Sequence, residues 1–121
     1  MVKERRRYPR IEKTIPLKVS AGNFDLVTQT KNISCNGAYC IMNRTLPLMT
    51  KLQITLLLPE KNKKKKENCS LKIKCMGVVV RSQKDTASKK ERFKTAIFFE
   101  QIREKERGKL EEYIDTHLHS K

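Results

Sequence analysis

Three arginines near the N-terminus are the first side chains whose type and spacing could do chemistry. Arg6 and Arg10 form an R-x-x-x-R pattern, and Arg5 stands directly before it. A guanidinium group is a planar fork of donors that pairs with phosphate or with the edge of a base. Because Pro9 favours extended backbone before it, Arg6 and Arg10 could converge on one anionic ligand. Taken alone, however, the pattern favours a solvated basic arm.

A second pattern, N-x-S-x-x-G, is formed by Asn32, Ser34 and Gly37. Asn and Ser side chains bond to their own backbone in turns, and glycine adopts positive φ at no steric cost. If the polar side chains of this turn point outward, Asn32 and Ser34 lie on one side and could read the edge of a base. The alternative is an ordinary polar turn.

The net charge of +15, from 28 Lys+Arg and 13 Asp+Glu, is concentrated in two segments. Residues 1–20 carry 7 basic and 2 acidic residues, and residues 61–95 carry 13 and 3. The first segment is rich in arginine and predicts a shaped anion site. The second contains Lys61 and Lys63–Lys66, and we expect a solvated loop there, since lysine is a mobile, strongly hydrated point charge.

The 121 residues predict one domain made mostly of strands. Alternating apolar residues indicate half-buried strands, and apolar residues three or four apart near the C-terminus indicate one face of a helix. Pro59 should end the fourth strand, and a polar loop should cover 82–91. The resulting fold is a small antiparallel β-barrel with a C-terminal α-helix packed on it. The predicted strands lie near 15–20, 24–33, 38–42, 52–58, 71–80 and 93–99, and the helix spans 103–118.

The two motifs, in this order and about 22 residues apart, resemble those of the PilZ domain family. PilZ domains are bacterial receptors for cyclic di-GMP, built as a six-stranded antiparallel β-barrel with a C-terminal α-helix. The stretches GVVVR and FKTAIFFEQI are similar to late strands of the family. The resemblance covers nearly the whole chain and implies a single domain, with an arginine arm at 1–12 and the barrel and helix at 13–121.

By this resemblance, Arg6 and Arg10 would hold the phosphates and guanine faces of cyclic di-GMP. Asn32 and Ser34 would bond to the base, and Gly37 would let the backbone approach closely. The ligand would order the arm and so change a surface that a downstream protein reads. The resemblance implies no cofactor, metal or catalysis.

Further details of the ligand site follow from the same resemblance. Family members with an arginine directly before R-x-x-x-R often bind two intercalated cyclic di-GMP molecules, and Arg5 occupies that place. Asn32 stands where many members have Asp, and Ala96 stands where glycine is usual. The lysine run is not a feature of the family.

Other residues that could do chemistry form weaker patterns. Four cysteines, Cys35, Cys40, Cys69 and Cys75, lack C-x2-C spacing, so we expect free thiols unless the fold gathers them into a zinc site. His117 and His119 are expected to be solvated residues at the helix end. The four phenylalanines, Phe24, Phe93, Phe98 and Phe99, are expected in the core. No nucleophile–base pair or P-loop is apparent, so we expect no catalysis.

The chain contains no apolar run of about 18 residues, and no apolar stretch follows the charged N-terminus. We therefore expect a cytoplasmic protein with reduced cysteines. Two alternatives to a cyclic di-GMP receptor stay open. One is a small basic β-barrel that binds RNA or DNA, which the charge favours. The other is a degenerate PilZ domain that only mediates protein contacts.

Overall fold

The computed structural model describes residues 10–22, 24–61, 68–86 and 89–118, and the side chains of all of these except 59–61, 68–70 and 118. The motif residues Arg5 and Arg6, the run Lys63–Lys66 and His119 lie outside the described residues. Cys69 is described by its backbone alone.

Six antiparallel strands close into a barrel, and one helix follows them. The strand order around the barrel is β1-β2-β3-β6-β5-β4, and β4 returns to pair with β1. This confirms the predicted fold class. The elements are β1 (Pro16–Ala21), β2 (Phe24–Ile33), β3 (Gly37–Met42), β4 (Lys51–Lys61), β5 (Asn68–Lys84), β6 (Phe93–Gln101) and α1 (Glu104–Leu118).

The barrel forms because alternate residues of each strand point inward. Along β4 the inward side chains Leu52, Ile54, Leu56 and Leu58 are at most 1% exposed. Lys51 lies on the outer face and is exposed. Burial of each large aliphatic side chain stabilises the fold by about 1.5–3 kcal/mol, so this alternation fixes which face of the strand turns inward.

The helix α1 covers part of the core beside β5. Its buried face presents Leu110, Tyr113 and Ile114, three of the residues whose spacing predicted the helix. The opposite face carries charged residues such as Glu111 and Glu112, which are exposed. Among the described residues, no helix has the length and apolar composition to cross a membrane.

The prediction that Pro59 ends β4 is wrong. The strand continues to Lys61, with Pro59 opposite Ser70 of β5. Pairing of β1 with β4 covers Gln53 to Leu56, so among the described strands β5 alone pairs with β4 at Pro59. Proline is tolerated on such an edge because its missing N–H breaks no ladder bond.

The loop predicted at 82–91 begins later than expected. Strand β5 runs on to Lys84, which pairs with Phe93 of β6. The ladder there joins main-chain groups, so it forms although Ser82, Gln83 and Lys84 provide no apolar pattern. Asp85 N then donates to Arg92 O at 2.8 Å and leads into the shorter loop.

Two register shifts interrupt the pairing of β5 with β6, one between Met76 and Gly77 and one between Val79 and Arg81. The first lies at Gly77, and glycine inside a strand often marks such a bulge. A Cβ at Gly77 would lie 2.5 Å from Ile54 Cδ1 and 2.7 Å from Ile97 Cγ2, so glycine is needed for close packing in the barrel.

Substitutions at two glycines should therefore change stability in opposite directions. Gly108 is exposed on α1, and a Cβ added there would point into open space, so Gly108→Ala should raise the free energy of unfolding by roughly 1 kcal/mol through helix propensity. Gly77→Ala should lower it by about 1–3 kcal/mol through overpacking. Urea unfolding measures both; a Gly77→Ala protein as stable as wild type would contradict this packing.

Candidate functional site

An open cavity of about 470 Å³ lies on the outer surface of the barrel, where the segment before β1 meets β2, β3, β5 and β6. It is the cavity that contains residues from both sequence motifs. Arg10 comes from the first motif, and Asn32 and Gly37 come from the second. The fold thus brings together residues that are 22 positions apart in the chain.

Arg10 and Asn32 are joined directly. Arg10 Nη1 donates to Asn32 Oδ1 at 2.6 Å. The next residue, Ile11, exchanges two main-chain hydrogen bonds of 3.0 Å with Ile33 and is itself buried. This short bridge holds Arg10 beside Asn32, so residue 11, although within the predicted arm 1–12, belongs to the packed core.

Ser34 does not lie on the surface beside Asn32. It is 1% exposed, and its Oγ accepts a hydrogen bond from Asn36 N at 3.0 Å. Its own N–H donates to Gly37 O at 2.9 Å. The expectation that Asn32 and Ser34 point outward together is wrong, because β2 ends at Ile33 and the chain turns inward at Ser34. Ser34 holds the turn that positions Asn32.

Gly37 is required for close packing, and its φ is not positive; among the described glycines only Gly22, at +54°, has a positive φ. A Cβ at Gly37 would overlap the carbonyl oxygen of Ile97 and lie 3.3 Å from the carbonyl carbon. The turn therefore packs directly against the backbone of β6. Phe99 N also donates to Asn36 O at 2.9 Å, which fixes the turn to the same strand.

Among the cavity residues that the sequence did not indicate as part of a site are Arg81, Val80 and Phe98. Arg81 is exposed, Val80 is 50% exposed and Phe98 is 42% exposed. The expectation that Phe98 belongs to the core is therefore wrong, although Phe99 is buried as expected. The register shift between Val79 and Arg81 interrupts the alternation, so both Val80 and Arg81 are exposed.

A small residue keeps this cavity open. Ala96 of β6 lies between Tyr39 of β3 and Arg81 of β5 in one row across the barrel wall. All three residues line the cavity, and the short side chain of Ala96 leaves room between the two longer ones. This assigns a physical role to the position where the family resemblance predicts glycine.

The described lining of the cavity offers hydrogen-bond donors and no carboxylate. Arg10 and Arg81 supply guanidinium groups. Asn32 Oδ1 accepts from Arg10 at one of its two lone pairs, and the amide nitrogen of Asn32 can donate to a ligand. An anion with several acceptors is the ligand class that such a lining can hold.

The cysteines do not form a site in the described part of the chain. Burial raises the pKa of the Cys35 thiol to about 11 and the pKa values of Cys40 and Cys75 to about 12. These three cysteines are free and buried, and no three His, Cys, Asp or Glu side chains among the described residues are grouped as metal ligands. His117, on α1, is half-buried and its Nδ1 donates to Tyr113 O at 2.9 Å.

Comparisons with known proteins identify one family and several solved structures that share this fold. The family model described as "PilZ domain" matches residues 4–116. The inhibitor of motility MotI/DgrA from Bacillus subtilis has a TM-score of 0.81 at 21% identity, covering 98% of this chain and 54% of that chain. The MrkH–c-di-GMP complex from K. pneumonia has a TM-score of 0.71 at 16% identity, covering 97% and 54%.

A third solved structure is the PilZ domain of YcgR from Escherichia coli with c-di-GMP. Its TM-score is 0.61 at 15% identity, covering 95% of this chain and 92% of that chain. The chain thus spans about half the length of the MotI/DgrA and MrkH chains and nearly all of the isolated YcgR domain. At these identities the likeness shows the fold. No curated protein matches the chain.

The contact of Gly37 with β6 yields a stability prediction. Gly37→Ala should lower the free energy of unfolding by about 1–3 kcal/mol, because the new methyl group meets backbone atoms that cannot move aside. Urea unfolding of Gly37→Ala beside wild type measures the loss. Unchanged stability would show that the turn does not pack on Ile97 as described.

Proposed function

The chain belongs to the PilZ domain family, and on that premise we propose that it is a receptor for cyclic di-GMP. The observation that carries the proposal is the hydrogen bond of Arg10 to Asn32. It joins the two motifs at one cavity, as a shared ligand site requires. The c-di-GMP named with MrkH and with the YcgR domain supports the same ligand.

The proposed contacts follow from the chemistry of the cavity. Arg10, with Arg6 from the same motif, would pair with phosphate oxygens and with the O6/N7 edge of guanine. The Asn32 amide would donate to the base. Arg81 would supply a further guanidinium, and the exposed ring of Phe98 would cover an apolar face of the ligand. Ser34 and Gly37 would act by positioning the turn that carries Asn32.

The proposed activity is binding without catalysis. Among the described lining residues there is no His, Cys, Asp or Glu that could act as a nucleophile's base. We place the receptor in the bacterial cytoplasm, with which the three free thiols Cys35, Cys40 and Cys75 are compatible.

Titration calorimetry with cyclic di-GMP tests the proposal. Arg10→Ala should weaken binding on the order of 100-fold, because hydrogen bonds to a charged group contribute about 1.5–3 kcal/mol each. Arg92→Ala is the matched control, since Arg92 is exposed and lies outside this cavity. The control should bind as wild type does.

Two results would overturn the proposal that the chain is a cyclic di-GMP receptor. The first is no heat from the wild-type protein at tens of micromolar ligand. The second is an Arg10→Ala protein that unfolds normally and binds with unchanged affinity. The same titration counts ligands: Arg5, next to the R-x-x-x-R pattern, supports two cyclic di-GMP molecules per chain, bound as an intercalated dimer.

A second part of the proposal concerns the arginine arm, residues 1–12. The like charges of Arg5, Arg6, Arg7 and Arg10 repel each other, and a bound dianion would offset part of this charge and hold the arm on the barrel. The held arm would present a new surface to a downstream protein. This change of surface is how a receptor without catalysis can transmit a signal.

Limited proteolysis with trypsin tests the arm. Saturating cyclic di-GMP should slow cleavage after Arg5, Arg6 and Arg7 by about tenfold or more, which corresponds to at least ~1.4 kcal/mol of protection. The Arg10→Ala protein at the same ligand concentration should show no slowing. Equal cleavage of wild type with and without ligand, while calorimetry reports saturation, would reject arm ordering and leave ligand binding intact.

A further inference from the structure

A second cavity, of about 1020 Å³, lies elsewhere on the barrel. It is bounded by the outer face of β4 and β5, the end of β6 and the first turns of α1. Among the described residues, it shares none of its lining with the cavity that contains Arg10 and Asn32. Any ligand of this second cavity would therefore be separate from the proposed nucleotide.

Four cationic side chains line this second cavity: Lys72, Lys74, Arg103 and Arg107. Lys72 and Lys74 are alternate residues on the outer face of β5, so they are about 6.6 Å apart along the strand. Arg103 is exposed immediately before α1. Three of these cations are therefore exposed at one concave surface and can reach a common ligand.

The two carboxylates in the lining, Glu100 and Glu106, are each paired with a lysine from outside it. Lys51 Nζ lies 3.0 Å from both carboxylate oxygens of Glu100. Lys109 Nζ lies 3.5 Å from Glu106 Oε2, and Glu106 Oε1 accepts from Lys74 N at 3.1 Å. The charge of the two carboxylates is thus largely compensated, and the lining retains an excess of positive charge.

The charge of the surrounding sequence has the same sign. Residues 61–95, which include all of β5, contain 13 basic and 3 acidic residues. A surface of one sign raises the local concentration of a polyanion and speeds its association. Little of this excess lies at the cavity of Arg10 and Asn32, because Arg81 is the one charged residue of segment 61–95 among the described lining residues there.

We propose that this second cavity binds the phosphate backbone of single-stranded RNA or DNA. The surface is concave, which suits a strand better than a flat bilayer. No aromatic residue is among the described lining residues, so bases have nothing to stack on and recognition is confined to the backbone. Binding is therefore independent of sequence and steeply dependent on salt.

Fluorescence anisotropy with labelled 20-nucleotide oligo(U) and oligo(dT), at 50–300 mM salt, tests this proposal on the wild-type chain. Three to four phosphate contacts predict a slope of log K against log [salt] of roughly −2 to −3. Lys72→Gln/Lys74→Gln removes two contacts. It should reduce the slope by about 1.4 and the affinity on the order of 50-fold at 50 mM salt.

The control variant is Lys31→Gln/Lys84→Gln, which removes the same charge from two exposed sites outside this cavity. It should bind oligo(U) nearly as wild type does. Equal weakening in both variants would show that binding follows total charge and would overturn the site. Absence of binding at 50 mM salt would overturn it too.

Two further measurements distinguish nucleic-acid binding at this cavity from membrane binding and from binding of cyclic di-GMP. Binding of the protein to vesicles with 30% anionic lipid should not depend on Lys72 and Lys74. If vesicle binding depends on these lysines and oligonucleotides do not bind, the surface recognises a membrane and the proposal is wrong. Calorimetry with cyclic di-GMP should give unchanged affinity in Lys72→Gln/Lys74→Gln, which shows that the variant is folded and that the two cavities are distinct.

Discussion

The packing of the β2–β3 turn against the backbone of β6 is the contact on which the candidate site depends. Gly37 approaches Ile97 so closely that no side chain fits between them, and Asn36 O accepts from Phe99 N. Since β6 pairs with β3 on one side and β5 on the other, this contact also closes the barrel wall. It sets the distance between Asn32, at the end of β2, and Arg81, on β5.

The Arg10–Asn32 hydrogen bond then fixes the electrostatics of the cavity. An arginine carries about 2 kcal/mol of rotamer entropy, and a side chain already held by a neighbour loses less of it when a ligand binds. The overall charge of +15 attracts anions from solution, but salt screens that attraction beyond about 8–10 Å. Long-range attraction therefore concentrates anions, whereas the placed donors decide which anion fits.

Much of the fold could be predicted from the sequence, because the alternation in β4 and the helical spacing of Leu110, Tyr113 and Ile114 reflect burial directly. The site could be predicted only in part. That Arg10 and Asn32 lie at one cavity follows from the two motifs, whereas the hydrogen bond between them does not. The inward turn of Ser34 and the exposure of Arg81 and Phe98 depend on where β2 ends and on a bulge in the β5–β6 ladder. Those features are set by pairing between distant strands, which a pattern of side chains along one strand does not specify.

The direction of the Arg10–Asn32 hydrogen bond bears on what the Asn32 amide can offer to a base of the proposed ligand. One lone pair of Oδ1 accepts from Arg10, and the amide keeps its two N–H groups and a second lone pair for other partners. Guanine presents acceptors at O6 and N7, whereas adenine presents an amino group at the position of O6. In the proposed complex, the Asn32 N–H groups would suit the acceptors of guanine, whereas an adenine amino group would need the remaining lone pair of Oδ1. The hydrogen bond between the two protein side chains would thereby favour guanine over adenine at Asn32.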